Sequence, residues 1–340
     1  MNLRYQHESI QAAQKLIATA SRIVLTSHRS PDGDAVGSGL AMMHYLLNKG
    51  KNVVFMVPDQ YPEFLFWLPG HAQVVVFDQS RSLAEAYIQE ADLIFSLDYN
   101  QLNRTGEMQS ALEHASADFI LIDHHHSPGN YPAVTFSDTS ACSTCEMIYD
   151  FIVESGDEHL IDRTIGTCIY TGIMTDSGSF RFPSVKPHTH LIAANLIEKG
   201  VDHSFIHRQV YDNNMLNRLQ LLGYALSSRL EMVGDHAAMI VLDKETLNKY
   251  NHQPGDTEGL VNYALSIKGV NVAVFVREGS NEIRLSFRSK GSFDVNVLAR
   301  EYFEGGGHSN AAGGRSSESL DNTTNRLKEI LLSRMNDLNY

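Results

Sequence analysis

The chain has 340 residues, of which 43% are hydrophobic and 20% charged, a composition that is typical of globular proteins and sufficient for two hydrophobic cores. Its formal net charge of −13 should repel long nucleic acid, which excludes long duplex DNA as a favoured partner. No apolar run reaches the roughly 18–20 residues that cross a membrane and residues 1–10 show no secretory signal, so we expect a cytoplasmic protein with no membrane partner.

The first half of the chain alternates between helical patterns and short apolar runs. A helical pattern over about 7–20 leads into the run Ile23 to Thr26, which predicts the first strand. After a polar loop, apolar residues at helical spacing predict a helix over 35–48 with Asp34 as its N-cap, followed by a strand at 52–57. Further apolar runs lie at 74–77, 93–97 and 119–122. This alternation predicts an α/β fold whose parallel sheet is covered by helices on both faces.

The second half changes to an α+β pattern after a long helical region. Helical patterns cover about 142–174 and resume from His188, and the segment 214–231 is typical of a connecting helix. Beyond it we predict strands at 236–242, 272–276 and 283–287, a helix at 257–267 and a last helix at 322–335. We therefore divide the chain into a parallel-sheet domain at 1–190, a helical linker at 191–231 and a smaller C-terminal domain at 232–340.

Acidic and histidine side chains follow several of the predicted strands. They belong to four segments: His28, Asp32 and Asp34; Asp98; Asp123, His124 and His125; and Asp176. One such residue alone is usually a cap or a solvated loop residue, but the carboxyl ends of parallel strands meet at one edge of a sheet, where ligands bind. Mn²⁺ and Mg²⁺ prefer carboxylate oxygens with some imidazole, and two such ions about 3.5–4 Å apart can act on one phosphate. The sequence therefore predicts a dinuclear metal site, and a structural zinc site is less natural because cysteine ligands are absent from these segments.

These segments resemble the motifs of the DHH phosphoesterase superfamily, whose name matches Asp123-His124-His125. Its other motifs resemble the segments His28 to Ser38, Leu97-Asp98 and Gly172 to Phe180, and the resemblance runs from about residue 20 to residue 315. It implies that one cation is held by His28, Asp32, Asp98 and Asp176, and the other by Asp34, Asp98, His124 and Asp176. It also implies that Asp98 bridges the cations and that His125 orients the scissile phosphate or protonates the leaving oxygen. Asp123 would accept a hydrogen bond from an imidazole so that the ligating nitrogen of that ring points at the metal.

Two more segments resemble the small C-terminal domain of one branch of this superfamily. The first is Gly305 to Gly314, where the resemblance implies that substrate is contacted by Gly306, Gly307 and His308. The second is Ser286 to Lys290, where Arg288 and Ser289 would grip a substrate phosphate. By composition alone, the glycine run could be a flexible loop and the basic segment a solvated edge strand. Glu304 departs from the family, which usually has glycine at this position.

The branch with this C-terminal domain contains nano-RNases and phosphatases of 3′-phosphoadenosine 5′-phosphate (pAp). The resemblance implies an enzyme with two divalent cations, Mn²⁺ before Mg²⁺, that acts on short single-stranded RNA or hydrolyses pAp to AMP and phosphate. Linear dinucleotides such as pApA and pGpG are alternative substrates, and a nucleotide sensor without turnover is the alternative outside the enzymes. The sequence is compatible with a homodimer and assigns no role to His126. The sparse cysteines Cys142, Cys145 and Cys168 predict a reducing compartment and buried thiols.

Overall fold

The computed structural model describes residues 3–279 and 282–334. The chain separates into two compact units, Met1–Asn213 and Asn214–Tyr340. The segment predicted as a linker, 191–231, contributes helices to each unit. The end of the last predicted helix, at Met335, lies outside the described residues.

The first unit contains a six-stranded sheet with eight α-helices among its described residues. Its strands are β1 (Arg22–Thr26), β2 (Asn52–Val57), β3 (Val75–Val76), β4 (Leu93–Leu97), β5 (Asp118–Asp123) and β6 (Val134–Ser137). Its helices are α1 (His7–Thr19), α2 (Gly33–Asn48), α3 (Arg81–Gln89), α4 (Gln109–Glu113), α5 (Thr144–Glu154), α6 (Arg163–Asp176), α7 (Pro187–Glu198) and α8 (His203–Tyr211). The strands pair in the order β3-β2-β1-β4-β5-β6, and every pair is parallel.

Hydrophobic cores cover both faces of this sheet. In β1, Ile23 and Leu25 point into a core shared with α1, α2, α5 and α6, whereas Val24 points into a second core shared with α3 and α4. The predicted α/β fold with helices on both faces is therefore confirmed. Three details differ from the sequence prediction: the run 74–77 forms only the two-residue β3, the helical region 142–174 divides into α5 and α6, and β6 was not predicted.

The start of α2 also differs from the prediction and bears on the metal site. The N-cap is Asp32, whose carboxylate accepts hydrogen bonds from the backbone N–H groups of Asp34 and Ala35. Asp34, predicted as the cap, lies inside the first turn of the helix and is only 1% exposed. The Asp34 carboxylate is therefore not used for capping and points into the protein interior.

Helices α2 and α6 approach each other closely at two glycines. A Cβ atom at Gly37 would lie 2.7 Å from the carbonyl oxygen of Cys168. A Cβ atom at Gly172 would lie 2.2 Å from Cys145 Sγ and 2.7 Å from Asp34 Oδ1. Only glycine fits at these positions without moving a helix, because the interior of a protein is close-packed.

We expect Gly172→Ala to lower the free energy of unfolding by about 1–3 kcal/mol, the usual effect of overpacking, and to displace Asp34. Urea denaturation measures the first effect. The matched control is Gly223→Ala, because a Cβ atom there meets nothing within 4 Å, and it should be neutral or stabilise by up to about 1 kcal/mol. A Gly172→Ala variant as stable as the parent protein would contradict this close approach.

The second unit contains a mixed sheet and is the predicted smaller α+β domain. Its strands are β7 (Leu230–Val233), β8 (Ala237–Leu242), β9 (Val272–Glu278), β10 (Ile283–Ser289), β11 (Gly306–His308) and β12 (Ala311–Ser316). Its helices are α9 (Leu216–Ser228), α10 (Lys244–Lys249), α11 (Leu260–Leu265), α12 (Val295–Tyr302) and α13 (Leu320–Ser333). The strand order is β11-β12-β10-β9-β8-β7, in which only the pair β8–β9 is parallel.

Two sequence alternatives for this unit are corrected by the sheet. The glycine-rich segment is not a flexible loop, because its residues form the antiparallel pair β11–β12. The basic segment is not an edge strand, because β10 lies between β12 and β9. Within the described part of the chain, none of the helices combines the length and the apolar character that crossing a bilayer would require.

Candidate metal centre and substrate-binding segment

The candidate metal centre lies where the order of the parallel strands reverses. Strand β1 pairs with β2 on one side and with β4 on the other. The chain therefore adds β2 and β3 on one side of β1, and β4, β5 and β6 on the other side. Such a switch point opens a crevice outside the carboxyl ends of the strands. The loop after β1, the end of β4, the end of β5 and the end of α6 all deliver side chains to it.

The structure brings all six predicted metal ligands into two adjoining groups. In the first, His28 Nε2 lies 3.3 Å from Asp98 Oδ2 and 4.0 Å from Asp32 Oδ1. In the second, His124 Nε2 lies 3.5 Å from Asp98 Oδ1, 3.6 Å from Asp176 Oδ2 and 4.0 Å from Asp34 Oδ2. Asp98 therefore turns one oxygen toward each group. Asp176, which the resemblance implied for both cations, is grouped with Asp34 and His124.

Asp98 has an unusual backbone conformation. Its φ is 63°, in the left-handed region, directly after the last residue of β4. Aspartate and asparagine tolerate this region better than other residues that carry a side chain. Its N–H still donates to the carbonyl of Ile122 at 3.1 Å, so the residue is held in the line of the sheet while its side chain enters the crevice.

Burial and the charges of neighbouring residues shift the pKa values of the carboxylates in the site. Burial, with the nearby charges of Asp98 and Asp176, holds the pKa of Asp34 well above its usual range. The pKa of Asp98 is well below its usual range because hydrogen bonds and charge from His124 and His28 outweigh the opposing effect of burial. A buried cluster of carboxylates that repel one another is stabilised by divalent cations, so the donor set fits such ions.

The same carboxylates also shift the pKa values of the two candidate histidine ligands. Burial alone lowers the pKa of His28, but its hydrogen bond to Asp98 and the charges of Asp32 and Asp98 outweigh that effect and raise it to about 9. The pKa of His124 is likewise raised well above its usual value, because Asp98, Asp176 and Asp34 outweigh burial. Both imidazoles therefore lie in a strongly negative environment, which also attracts metal ions.

Backbone carbonyls orient these two imidazole rings. His28 Nδ1 lies 2.9 Å from the carbonyl oxygen of Arg29, and His124 Nδ1 lies 3.4 Å from that of Ala141. When Nδ1 of the neutral ring donates a hydrogen bond to these carbonyls, Nε2 of each ring is unprotonated and points toward the carboxylates, where it could bind a metal.

Asp123 contacts a different imidazole from the one we expected. We predicted that it orients a metal-ligating ring, but its Oδ1 lies 2.6 Å from His125 Nδ1, and its Oδ2 accepts the His125 backbone N–H at 3.0 Å. The pKa of His125 is lowered because burial outweighs the charge of Asp123. His126 is exposed at the surface, in line with the absence of an assigned role.

In the second unit, two predicted substrate-binding residues lie on either side of strand β12. Arg288 of β10 and His308 of β11 are both register partners of Ala311 in β12. Residues opposite one another in an antiparallel sheet share a face, so Arg288 and His308 flank the small side chain of Ala311 on one face. A guanidinium and an imidazole separated by a methyl group offer a cationic surface for an anion.

Ser289 and the glycines are held by internal contacts. The Ser289 hydroxyl donates to the carbonyl of Phe293 at 2.6 Å and accepts from Asn310 Nδ2 at 2.9 Å, so it would have to change partners to bind a phosphate. The Gly307 N–H donates to Asn296 Oδ1 at 3.0 Å. A Cβ atom at Gly307 would lie 2.5 Å from the carbonyl oxygen of Ala311, so the glycine is required by the close strand pairing. Gly306 has more room, with the nearest atoms 3.7 Å from such a Cβ.

Sequence reasoning missed two groups of contacts at the metal centre. The backbone N–H groups of Thr144 and Cys145 donate to the Asp34 carboxylate, and the Thr144 hydroxyl donates to Asp98. The pattern Ser143-x-x-Glu146 marks the start of α5 in the sequence, since the Ser143 hydroxyl accepts the Glu146 N–H. The charge of Arg104 was also missed, and it opposes protonation of His28 and His125. All three cysteines are free and buried, as predicted.

Comparison with known proteins places this geometry in a family. Residues 22–173 match the DHH family, N-terminal domain, and residues 237–336 match the DHHA1 domain. The bifunctional oligoribonuclease and PAP phosphatase NrnA of Bacillus subtilis (strain 168) is 30% identical over 304 residues, covering 88% of this chain and 90% of that protein. The protein of the same name from Thermus thermophilus is 27% identical over 347 residues, covering 99% and 97%.

A solved structure agrees over almost the whole length. The crystal structure of an exopolyphosphatase-related protein from Bacteroides fragilis superposes with a TM-score of 0.93, at 37% identity, and covers 98% of both chains. The sequence matches and the superposition apply to the same two units, the parallel-sheet unit and the mixed-sheet unit. This chain therefore belongs to the DHH family of phosphoesterases, with a DHH domain followed by a DHHA1 domain.

Proposed function

We propose that this chain hydrolyses pAp to AMP and phosphate and degrades RNAs of a few nucleotides, using two divalent cations. The observation that carries the proposal is Asp98, whose Oδ2 faces His28 at 3.3 Å and whose Oδ1 faces His124 at 3.5 Å. A carboxylate between two His and Asp groups is what a bridged pair of cations requires. The choice of substrates is supported by the relatives named oligoribonuclease and PAP phosphatase.

Mn²⁺ is the ion that we propose, with Mg²⁺ as the second choice. The proposed ligands are His28, Asp32 and Asp98 for one ion, and Asp34, Asp98, His124 and Asp176 for the other. The family resemblance adds Asp176 to the first set as well. A mixed carboxylate and imidazole set suits Mn²⁺, whereas Mg²⁺ usually keeps several water ligands. When bound, the cations neutralise charge on the phosphoryl oxygens and activate water for in-line attack.

His125 is the residue that we place beside the scissile phosphate. Its Nδ1 is held at 2.6 Å by Asp123, which fixes the ring and favours a proton on that nitrogen. Burial lowers the pKa of His125, so a neutral ring is favoured before substrate binds. An anionic phosphate nearby would raise that pKa, and the protonated ring could then donate from Nε2 to the leaving oxygen.

Arg288 and His308 are the residues of the second unit that we propose to bind an anionic group of the substrate. Arginine suits this role because its planar guanidinium can donate two hydrogen bonds to one phosphate. The alignment of both residues on one face of the second sheet supports a shared anion site. Ser289, Gly306 and Gly307 would shape this site, and the internal hydrogen bonds of Ser289 and Gly307 favour a supporting role.

The experiment that tests the proposal is a substrate profile of the purified full chain. Phosphate release from pAp and the cleavage of pApA, pGpG and a five-nucleotide RNA are measured by chromatography after treatment with a chelator, and again after addition of Mn²⁺ or Mg²⁺. We expect chelation to reduce turnover at least about 100-fold, because removal of even one electrostatic stabiliser has an effect of that size. Added Mn²⁺ should restore turnover.

The same profile separates the alternatives. Turnover of pApA and pGpG without release of phosphate from pAp would favour a dinucleotide phosphodiesterase. If none of the substrates is turned over with either metal, the chain is a nucleotide sensor that has kept the fold without the chemistry.

A further inference from the structure

One short segment contacts three of the proposed metal ligands. This support segment, residues 138–144, connects β6 to the first residue of α5. The carbonyl oxygen of Ala141 lies 3.4 Å from His124 Nδ1. At the end of the segment, Thr144 donates its backbone N–H to Asp34 Oδ2 at 2.6 Å and its hydroxyl to Asp98 Oδ1 at 2.9 Å.

Thr144 is the residue of this segment that contacts two carboxylates at once. Asp34 belongs to one proposed ligand set and Asp98 to both, and the two residues are 1% and 2% exposed. Thr144 itself is fully buried, so water does not compete for its two donors. Hydrogen bonds to buried charged groups are among the strong ones, and they restrict the rotation of a carboxylate.

The hydrogen bond from Thr144 to Asp98 also affects the orientation of the carboxylate that is proposed to bridge the cations. The hydroxyl occupies one lone-pair direction of Asp98 Oδ1, while the same oxygen lies 3.5 Å from His124 Nε2. The other oxygen, Oδ2, faces His28 at 3.3 Å. The hydrogen bond from Thr144 restricts rotation of the Asp98 carboxylate. Oδ1 therefore stays toward His124, and Oδ2 stays toward His28.

Asp34 is also held by hydrogen bonds from the start of α5. Its Oδ2 accepts from the Thr144 N–H and its Oδ1 accepts from the Cys145 N–H at 2.9 Å. These are the first two N–H groups of α5, which have no partner within the helix. We propose that Thr144 is a positioning residue of the metal centre, and that its N–H and hydroxyl together fix Asp34 and Asp98 in the geometry that a cation pair requires.

The test uses substitutions that separate the two donors, and it rests on the proposed function because it assumes that two cations bind. Thr144→Val keeps the shape and the backbone N–H but removes the donor to Asp98. Thr144→Ser keeps the hydroxyl. We expect Thr144→Val to weaken Mn²⁺ binding in isothermal titration about 10- to 100-fold, the usual effect of losing a partner of a metal ligand, and Thr144→Ser to stay within about threefold.

The matched control is Thr171→Val, which removes a buried hydroxyl that donates to the carbonyl of Thr167 within α6. It should leave Mn²⁺ affinity unchanged. Electron paramagnetic resonance of the bound Mn²⁺ gives a second readout, because a bridged pair shows a coupled signal that Thr144→Val should weaken. Unfolding in the presence of a chelator checks that each variant is folded, and if Thr144→Val is not, Thr144→Ala takes its place.

The outcomes distinguish this inference from the proposed function. If the parent protein binds two Mn²⁺ ions and the folded Thr144 variant without a hydroxyl binds them equally well, the positioning role is wrong. If the parent protein does not bind a pair of ions, the proposed function fails first. Loss of Mn²⁺ affinity in Thr144→Val with retention in Thr144→Ser supports the role of the hydroxyl.

Discussion

Asp98→Asn should lower kcat for phosphate release from pAp by more than about 100-fold, the effect of removing one electrostatic stabiliser from an active site. Asp98 presents an oxygen to each group of ligands, so both proposed cations lose a charged ligand in one substitution. The expected effect is therefore larger than for Asp32→Asn, since Asp32 belongs to one group only. Steady-state phosphate release, compared at saturating Mn²⁺, provides the measurement.

Folding should survive this substitution, which allows the chemistry to be tested separately. Asparagine tolerates the positive φ of 63° at this position and keeps the shape of the side chain. We expect the parent protein to gain about 2.7 kcal/mol of stability for each site when Mn²⁺ is present at 100 times its Kd, and Asp98→Asn to gain much less. Thermal unfolding with and without Mn²⁺ measures this difference. Normal turnover in a folded Asp98→Asn protein would refute the bridging role.

Arg4→Met should lower the free energy of unfolding by about 3–5 kcal/mol, the effect of removing one partner from a buried ion pair. The Arg4 guanidinium pairs with Asp138 at 3.0 Å, with Asp150 at 2.6 Å and with Glu146. The side chains of Glu146 and Asp150 are 1% and 6% exposed. Without Arg4, two buried carboxylates on adjacent turns of α5 would repel each other without a cation between them. Urea denaturation at pH 7 measures the loss.

The pH dependence identifies the cause of that loss. Burial already raises the pKa of Asp150, and Arg4 opposes this effect. Removal of Arg4 should therefore raise the folded-state pKa of Asp150 further above its unfolded value of about 4. Groups with a raised folded pKa stabilise the protein below the unfolded pKa and lose that contribution as the pH rises through the folded pKa. The deficit of Arg4→Met should thus be small near pH 4 and large at pH 8.

The matched control removes an arginine that is exposed. Arg22 pairs with Glu90 at 2.8 Å, and both side chains are more than half exposed, at 56% and 57%. Arg22→Met should therefore change stability by less than about 1 kcal/mol, with little dependence on pH. Equal losses for Arg4→Met and Arg22→Met would mean that the buried network around α5 contributes no more than a surface pair.

The convergence of the residues of the candidate metal centre could be predicted from the sequence because sheet topology brings strand ends together. Each apolar run that ends in Asp or His predicts a side chain at the same edge, and His28, Asp98 and His124 all lie there. The prediction needed only the order of apolar and helical segments, since parallel strands have their carboxyl ends on one side. The fold of both units followed from the same periodicities.

Contacts between segments far apart in the sequence could not be predicted in this way. The sequence marks residue 34 as a good N-cap, but Asp32 caps α2, and Asp34 lies inside the helix and packs against Gly172 of α6. Thr144 and Asp34 are 110 positions apart, and their hydrogen bond exists only because α5 begins beside the first turn of α2. Such contacts depend on tertiary packing, which propensity and periodicity do not encode.

The pairing of β11 with β12 shows the same limit. From composition, a run of glycines predicts flexibility, since glycine permits many backbone conformations. Here the absence of side chains allows two strands to approach so closely that a Cβ atom at Gly305 would lie 2.2 Å from the carbonyl oxygen of Gly313. Gly305 and Gly307 are therefore required by the close approach of these strands, and the anion site proposed at Arg288 and His308 would be built on a sheet.

The buried thiols beside the metal centre affect how the protein responds to peroxide. Cys145 and Cys168 are fully buried and Cys142 is 2% exposed, and burial raises the pKa of each. Peroxide and alkylating reagents attack the thiolate, which in these surroundings is both scarce and out of reach. Cys145 lies against Gly172 and Asp34, where the added oxygens of a sulfinic acid would have no space. The three thiols of the folded chain should therefore stay reduced under oxidative stress, and damage at these positions would have to follow unfolding.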